Sequence, residues 1–151
     1  MAQVLAKPGD VRHGFSYIVQ FNHDFGRITG IAATIKGNIL LCDYDKKNLI
    51  LVDSFGSYLK KLEIDSEPYD IAVTSQNIGY ITLPNSRSVL QIDPDRMVVI
   101  FKAKCNDTST TVSCVSAVPK TGRDFSENVS AFFDVKIDGF SYAVAVKHNQ
   151  L

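Results

Sequence analysis

Ile31-Ala32-Ala33-Thr34, continued by Leu40-Leu41-Cys42 and Leu49-Ile50-Leu51-Val52-Asp53, decides the fold, because it occurs twice. Forty positions later, Ile71-Ala72-Val73-Thr74, Tyr80-Ile81-Thr82 and Val89-Leu90-Gln91-Ile92-Asp93 stand in the same order, with no gap between the copies. Apolar positions meet apolar positions over most of this span, and the closing aspartate is matched. A register held over such a distance marks a repeated supersecondary unit. The two units run roughly over 28–66 and 67–107.

Inside each unit the pattern is one of short strands. Ile31–Ile35 and Ile71–Thr74 are expected as first strands, and Ile39–Cys42 and Gly79–Leu83 as second strands. Leu49–Val52 and Val89–Ile92 follow as third strands, then Tyr58–Ile64 and Met97–Ala103 as fourth strands. Branched and aromatic residues of this kind suit a pleated, half-buried surface. The polar stretches between them carry turn chemistry, notably Asp-Ser-Phe-Gly (53–56) and Asp-Pro-Asp-Arg (93–96). No segment keeps a helical apolar stripe for the ten or so residues a helix needs. Four short strands per repeat of this length describe a β-propeller blade. A β-sandwich or meander explains the turn spacing but not two copies in one register. The fold class is therefore all-β, a partial β-propeller of two clear four-stranded blades with a terminal strand and a C-terminal hairpin.

The flanks are less regular. Phe15, Tyr17, Val19 and Phe21 alternate with Ser16, Ile18 and Gln20 and read as one strand after a Gly/Pro-bearing lead-in. Beyond Ala103 the repeat register fails, although Thr110–Val118 remains strand-like. Phe133–Ile137 and Phe140–Lys147 flank Asp138-Gly139, the pair that most strongly signals a two-residue hairpin turn. The resulting division is a lead-in with one strand (1–27), two blades (28–107) and an irregular third unit with a hairpin (108–151).

Composition sets the outer limits. The chain has 151 residues, 45% of them hydrophobic, with 16 basic and 16 acidic side chains. That balance disfavours a predominantly basic nucleic-acid binder. The apolar run Met97–Phe101 is far short of the ~20 residues that span a bilayer. Ala2–Gly14 lacks the apolar core and cleavage site of a secretory leader, so a cytoplasmic location with reduced thiols is expected, with no membrane partner.

A family resemblance rests on particular residues. Leu41-Cys42-Asp43, Lys46-Lys47-Asn48-Leu49-Ile50-Leu51-Val52-Asp53 and Gly56 resemble the NHL repeat, and Pro68-Tyr69-Asp70-Ile71-Ala72-Val73 resembles the strand that opens the next NHL blade. Ile-Thr-Gly (28–30) leading to Gly-Asn-Ile-Leu-Leu-Cys-Asp-Tyr (37–44) is similar to the C-terminal propellers of tripartite-motif proteins. The second unit departs from the pattern, with Leu83 in place of Asp43 and Ser86 in place of the family's asparagine, which is Lys46 in the first unit. The resemblance implies an interaction module, and by analogy substrate recognition in ubiquitin ligation.

Motif chemistry is sparse. No G-x-S-x-G elbow, dinucleotide fingerprint or phosphate loop is present. Cys42, Cys105 and Cys114 give no zinc-ligand spacing, and Cys42 reads as a core thiol. Asp43, Asp45, Asp93 and Asp95 do not form an EF-hand loop and suit turns. These readings lead to the expectations of no cofactor, no metal, no catalytic residue and a chain that is not an enzyme.

In a blade, the loop between second and third strands emerges on one rim, where variable function concentrates. The residues expected to bind there are Asp43, Tyr44, Lys46 and Lys47 from the first unit, with Asn85 and Arg87 from the second. Tyr44 and Arg87 are the types that anchor interfaces. The expected partner is a protein, with RNA as the weaker alternative, and an oligomer or further blades are expected to complete the ring. The rival functions are a lactonase- or esterase-type propeller hydrolase and a truncated chain without autonomous activity.

Overall fold

A computed structural model describes residue 20 and residues 22–106, 108–117, 129–137 and 140–147, the last two stretches as backbone strands only. Eleven strands are present among the described residues. β1 (Ile28–Ala33), β2 (Ile39–Asp43), β3 (Asn48–Val52) and β4 (Tyr58–Glu63) form a four-stranded antiparallel sheet in sequence order. β5 (Ile71–Val73), β6 (Gly79–Leu83), β7 (Ser88–Asp93) and β8 (Val98–Lys104) form a second sheet of the same order. β9 (Thr110–Ala117), β10 (Val129–Ile137) and β11 (Phe140–Lys147) make a three-stranded third sheet. The all-β architecture expected from the repeat is thus present. The first strand begins at Ile28 rather than Ile31 and ends before Ile35, where Thr34 turns the chain. β10 and β11 pair with Ile137 opposite Phe140, so the expected hairpin forms. Its Asp138-Gly139 turn and the expected strand Phe15–Phe21 lie outside the described residues.

The forty-residue register holds in the backbone as well as in the letters. Thr34 and Thr74 close equivalent turns: the amide of each donates to the carbonyl four residues on, Asn38 (2.8 Å) and Ile78 (2.9 Å). Their hydroxyls accept from the Asn38 and Ile78 amides, both at 3.2 Å. Gly37 and Asn77 take the positive φ these turns need, +81° and +59°. Asp53 Oδ1 accepts from the Phe55 and Ser57 amides, and Asp93 Oδ1 from the Asp95 and Arg96 amides. A bulge falls between Leu51 and Val52 in one sheet and between Gln91 and Ile92 in the other. The matched aspartates and threonines are therefore turn anchors that fix strand register.

The sheets stack face to face. Leu40, Cys42, Leu49 and Leu51 of sheet one pack with Ile71, Ile81, Leu83, Leu90 and Ile92 of sheet two. Burying side chains of this size contributes about 1.5–3 kcal/mol each, so this inter-sheet layer is the main core. Ala72 and Tyr80 of sheet two meet Val112 and Val115 of β9 in the next layer. Polar groups stitch the same junctions: Thr29 Oγ1 donates to the Pro68 carbonyl (3.0 Å), and Thr82 Oγ1 to the Ser113 carbonyl (2.9 Å). Asp70 Oδ2 accepts from the Val115 amide at 3.0 Å. Buried in apolar surroundings and near the Asp70 carboxylate, the Cys42 thiol is pushed far above its ordinary range, which fits a core thiol. Among the described residues no helix is long and apolar enough to cross a membrane.

Candidate interaction site on the blade rim

The turns after β2 and β6 emerge at the same end of their sheets and meet. Tyr44 is fixed from below, its amide donating to the Arg27 carbonyl at 2.9 Å. The Arg27 guanidinium lies over the Tyr44 ring, 4.3 Å from its centroid, and faces Asp45 at 3.6 Å. From sheet two, Asn85 Nδ2 donates to Tyr44 Oη (3.0 Å) and to Glu67 Oε2 (3.2 Å). Lys47 Nζ reaches the same carboxylate at 3.3 Å. Because Tyr44 Oη accepts from Asn85, its own O–H remains available to donate to a ligand.

These groups border an open groove of about 540 Å³ lined by Arg27, Thr29, Tyr44, Tyr69, Pro84 and Asn85, with Ser113 and Cys114 of β9 as the far wall. All three sheets contribute, so the groove exists only where they converge. Charges along it alternate as Arg27–Asp45 and Lys47–Glu67 pairs. A hydrogen bond to its own backbone amide, then those from Asn85 and Lys47, hold the Glu67 carboxyl at about 2, below its ordinary value. Among the described residues, no three His, Cys, Asp or Glu side chains come together as a metal site.

The expected binding residues separate on inspection. Tyr44, Lys47 and Asn85 join one network. Asp43 does not reach the surface: it is fully buried, Oδ2 accepting from the Gly26 amide (2.7 Å) and Oδ1 from the Lys46 amide (3.0 Å). Its carboxylate is consumed in anchoring the turn, and a Cβ at Gly26 would collide with it. Lys46 turns away from the groove toward Asp24, 3.4 Å from its carboxylate. Arg87 sits in the left-handed conformation (φ +50°) and ends a 3₁₀ turn over Pro84–Ser86, its amide donating to the Pro84 carbonyl. That turn replaces the aspartate anchor in the second unit, where Leu83 is fully buried at the position of Asp43. Two further lysines are held away from the groove, Lys61 beside Glu63 (3.2 Å) and Lys60 Nζ on the Asp95 carbonyl (3.1 Å).

Arg27, Tyr69 and Glu67 were not foreseen as site residues. They belong to the links that enter β1 and β5. The one available signal was Pro68-Tyr69, where an exposed aromatic follows a proline at a strand entrance.

No protein-family model matches this chain, and no curated protein matches it in sequence. The NHL resemblance therefore stands on its quoted residues alone. Solved structures do match in fold. Virginiamycin B lyase from Staphylococcus aureus superposes with a TM-score of 0.59 at 11% identity, covering 85% of this chain and 43% of that one. A luciferin-regenerating enzyme gives 0.60 at 11% identity, covering 83% and 46%. Sqt1 from Saccharomyces cerevisiae gives 0.59 at 13% identity, covering 80% and 32%. These are β-propellers, which places the present architecture in that fold. The chain spans less than half the length of each.

These neighbours correct the expectation that the chain is not an enzyme, since a lyase and a luciferin-regenerating enzyme share its fold. That expectation rested on missing contiguous motifs, whereas a propeller gathers site residues from loops of separate blades.

Proposed function

We propose that the chain is a propeller segment that holds a protein partner in the rim groove between its sheets. The observation that carries this reading is the convergence of Arg27, Tyr44 and Tyr69 on one groove. Tyrosine and arginine dominate interface hot spots, and Tyr44 is already held in place by Arg27 and Asn85, which lowers the ordering cost of binding. The paired charges along the rim favour a protein surface over a polyanion such as RNA. By the tripartite-motif resemblance, the partner is a substrate of ubiquitin ligation.

Photo-crosslinker side chains placed at Tyr44 and Tyr69 test this in cell extract. A protein captured from both positions, and not from Phe55 on the opposite rim, is the expected result. Its affinity falls at least tenfold for the Tyr44→Ala, Tyr69→Ala double variant at about 1.4 kcal/mol per factor of ten. Equal affinity for both proteins, or capture abolished by ribonuclease, overturns the reading.

A further inference from the structure

The forty-residue register sets Arg27 and Glu67 at equivalent places, on the links that enter β1 and β5. Their side chains meet different fates. Glu67 is fully engaged: Lys47 Nζ lies 3.3 Å from Oε1, and the Ser66 hydroxyl and the Asn85 side-chain amide both donate to Oε2 at 3.2 Å. Arg27 is held but not saturated. Its guanidinium rests 4.3 Å from the Tyr44 ring centroid, and Asp45 Oδ1 stands 3.6 Å away, beyond hydrogen-bond reach. The other oxygen of Asp45 is spent on the Arg27 backbone amide at 2.9 Å. Asp45 therefore orients the guanidinium and leaves its N–H fork without an acceptor among the described residues. Two phenols line the same groove, Tyr69 and Tyr44, the latter with its oxygen already accepting from Asn85. Neither hydroxyl proton has an acceptor among the described residues.

We propose that the protein segment held in this groove presents a carboxylate, the side chain of an aspartate or glutamate, to the Arg27 guanidinium and the Tyr44 and Tyr69 hydroxyls. The inference rests on the reading of the groove as a protein-binding site and names what that site selects. All three unspent groups are donors. An ionised carboxylate only accepts, and its two oxygens match the planar guanidinium fork as a bidentate pair. A neutral amide in the same place brings donors of its own and forms bonds about half as strong. Charge sets an upper limit as well. A phosphate monoester carries about −1.5 to −2 at pH 7 and calls for several cations. The neighbouring lysines are already spent, Lys47 on Glu67 and Lys46 on Asp24, which it faces at 3.4 Å. Arg27 is thus the cation left open at the groove among the described residues, and one cation suits one carboxylate. Its stacking on Tyr44 fixes the guanidinium before a ligand arrives, which lowers the ordering cost of binding.

Peptide selection against the 151-residue chain tests this. The pool is of random nonapeptides, acetylated and amidated, with Glu at the centre and no other acidic residue, so each carries a single carboxylate. Selected sequences are then remade with Gln or phosphoserine at the centre, and affinities are read by fluorescence anisotropy. The Glu form is expected to bind about tenfold more tightly than the Gln form, the loss of one charge-assisted pair, and more tightly than the phosphoserine form. The preference for Glu over Gln is expected to vanish in Arg27→Gln and to shrink in the Tyr44→Phe, Tyr69→Phe double variant. Equal binding of the Glu and Gln forms by the unaltered chain overturns the carboxylate inference, whatever the folding of the variants, and leaves the groove a peptide site. A Glu preference that survives Arg27→Gln overturns it too, as does tighter binding of phosphoserine. A pool that yields no binder also overturns it, and crosslink capture at Tyr44 and Tyr69 then decides separately whether the groove holds a protein.

Discussion

Asp43 and Glu67 show what separates a structural carboxylate from a site carboxylate on this rim. Both sit beside the turn after β2, but Asp43 is fully buried and spends its oxygens on backbone amides, whereas Glu67 is half-buried and joins Lys47 and Asn85. Glu67 has a folded-state pKa of about 2, below its ordinary 4.5, so the stabilisation it brings is present above 4.5 and is lost as pH falls through about 2. Carbon-detected NMR titration should place its midpoint near 2, and Asn85→Ala should move it upward. A midpoint near 4.5 in the wild-type chain contradicts the network. The sequence showed Tyr44 and Asn85 as rim residues because both lie in polar turns between strands. It could not show that Asp43 is consumed, since an aspartate that anchors a turn and one that meets a ligand are written alike.

At the level of elements, the strands were readable because the forty-residue register doubles each piece of local evidence. Turn geometry was less readable. Arg87 takes φ +50°, a conformation that costs a side chain-bearing residue about 1–2 kcal/mol, at the position where Lys47 takes φ +52° in the first unit. The turn is imposed by its strands rather than by its residues, which is why no glycine marks it. Arg87→Gly should accordingly be more stable than Arg87→Ala by about 1 kcal/mol, measured by urea unfolding. Equal midpoints for the two variants count against a left-handed residue there. The third sheet was legible as a hairpin from Asp138-Gly139 and as one strand over 110–118. Its union into a single sheet was not, because β9 and β10 pair across a connection that carries no repeat signal.

For the whole molecule, what matters is that sheets stack by their faces and that a groove opens where three of them meet. Repeat and alternation predict that each sheet has two apolar faces, and the partial propeller follows from that. The groove was only half visible, because Arg27 and Tyr69 lie on links between units, where a repeat of strands gives no guidance. The stacking is the claim on which the groove depends. Methyl–methyl nuclear Overhauser effects on a selectively labelled chain test it most directly. The account predicts cross-peaks between the Leu40, Leu49 and Leu51 methyls of sheet one and the Ile71, Ile81 and Leu90 methyls of sheet two. Cross-peaks confined within each sheet, with none between these two sets, would contradict it.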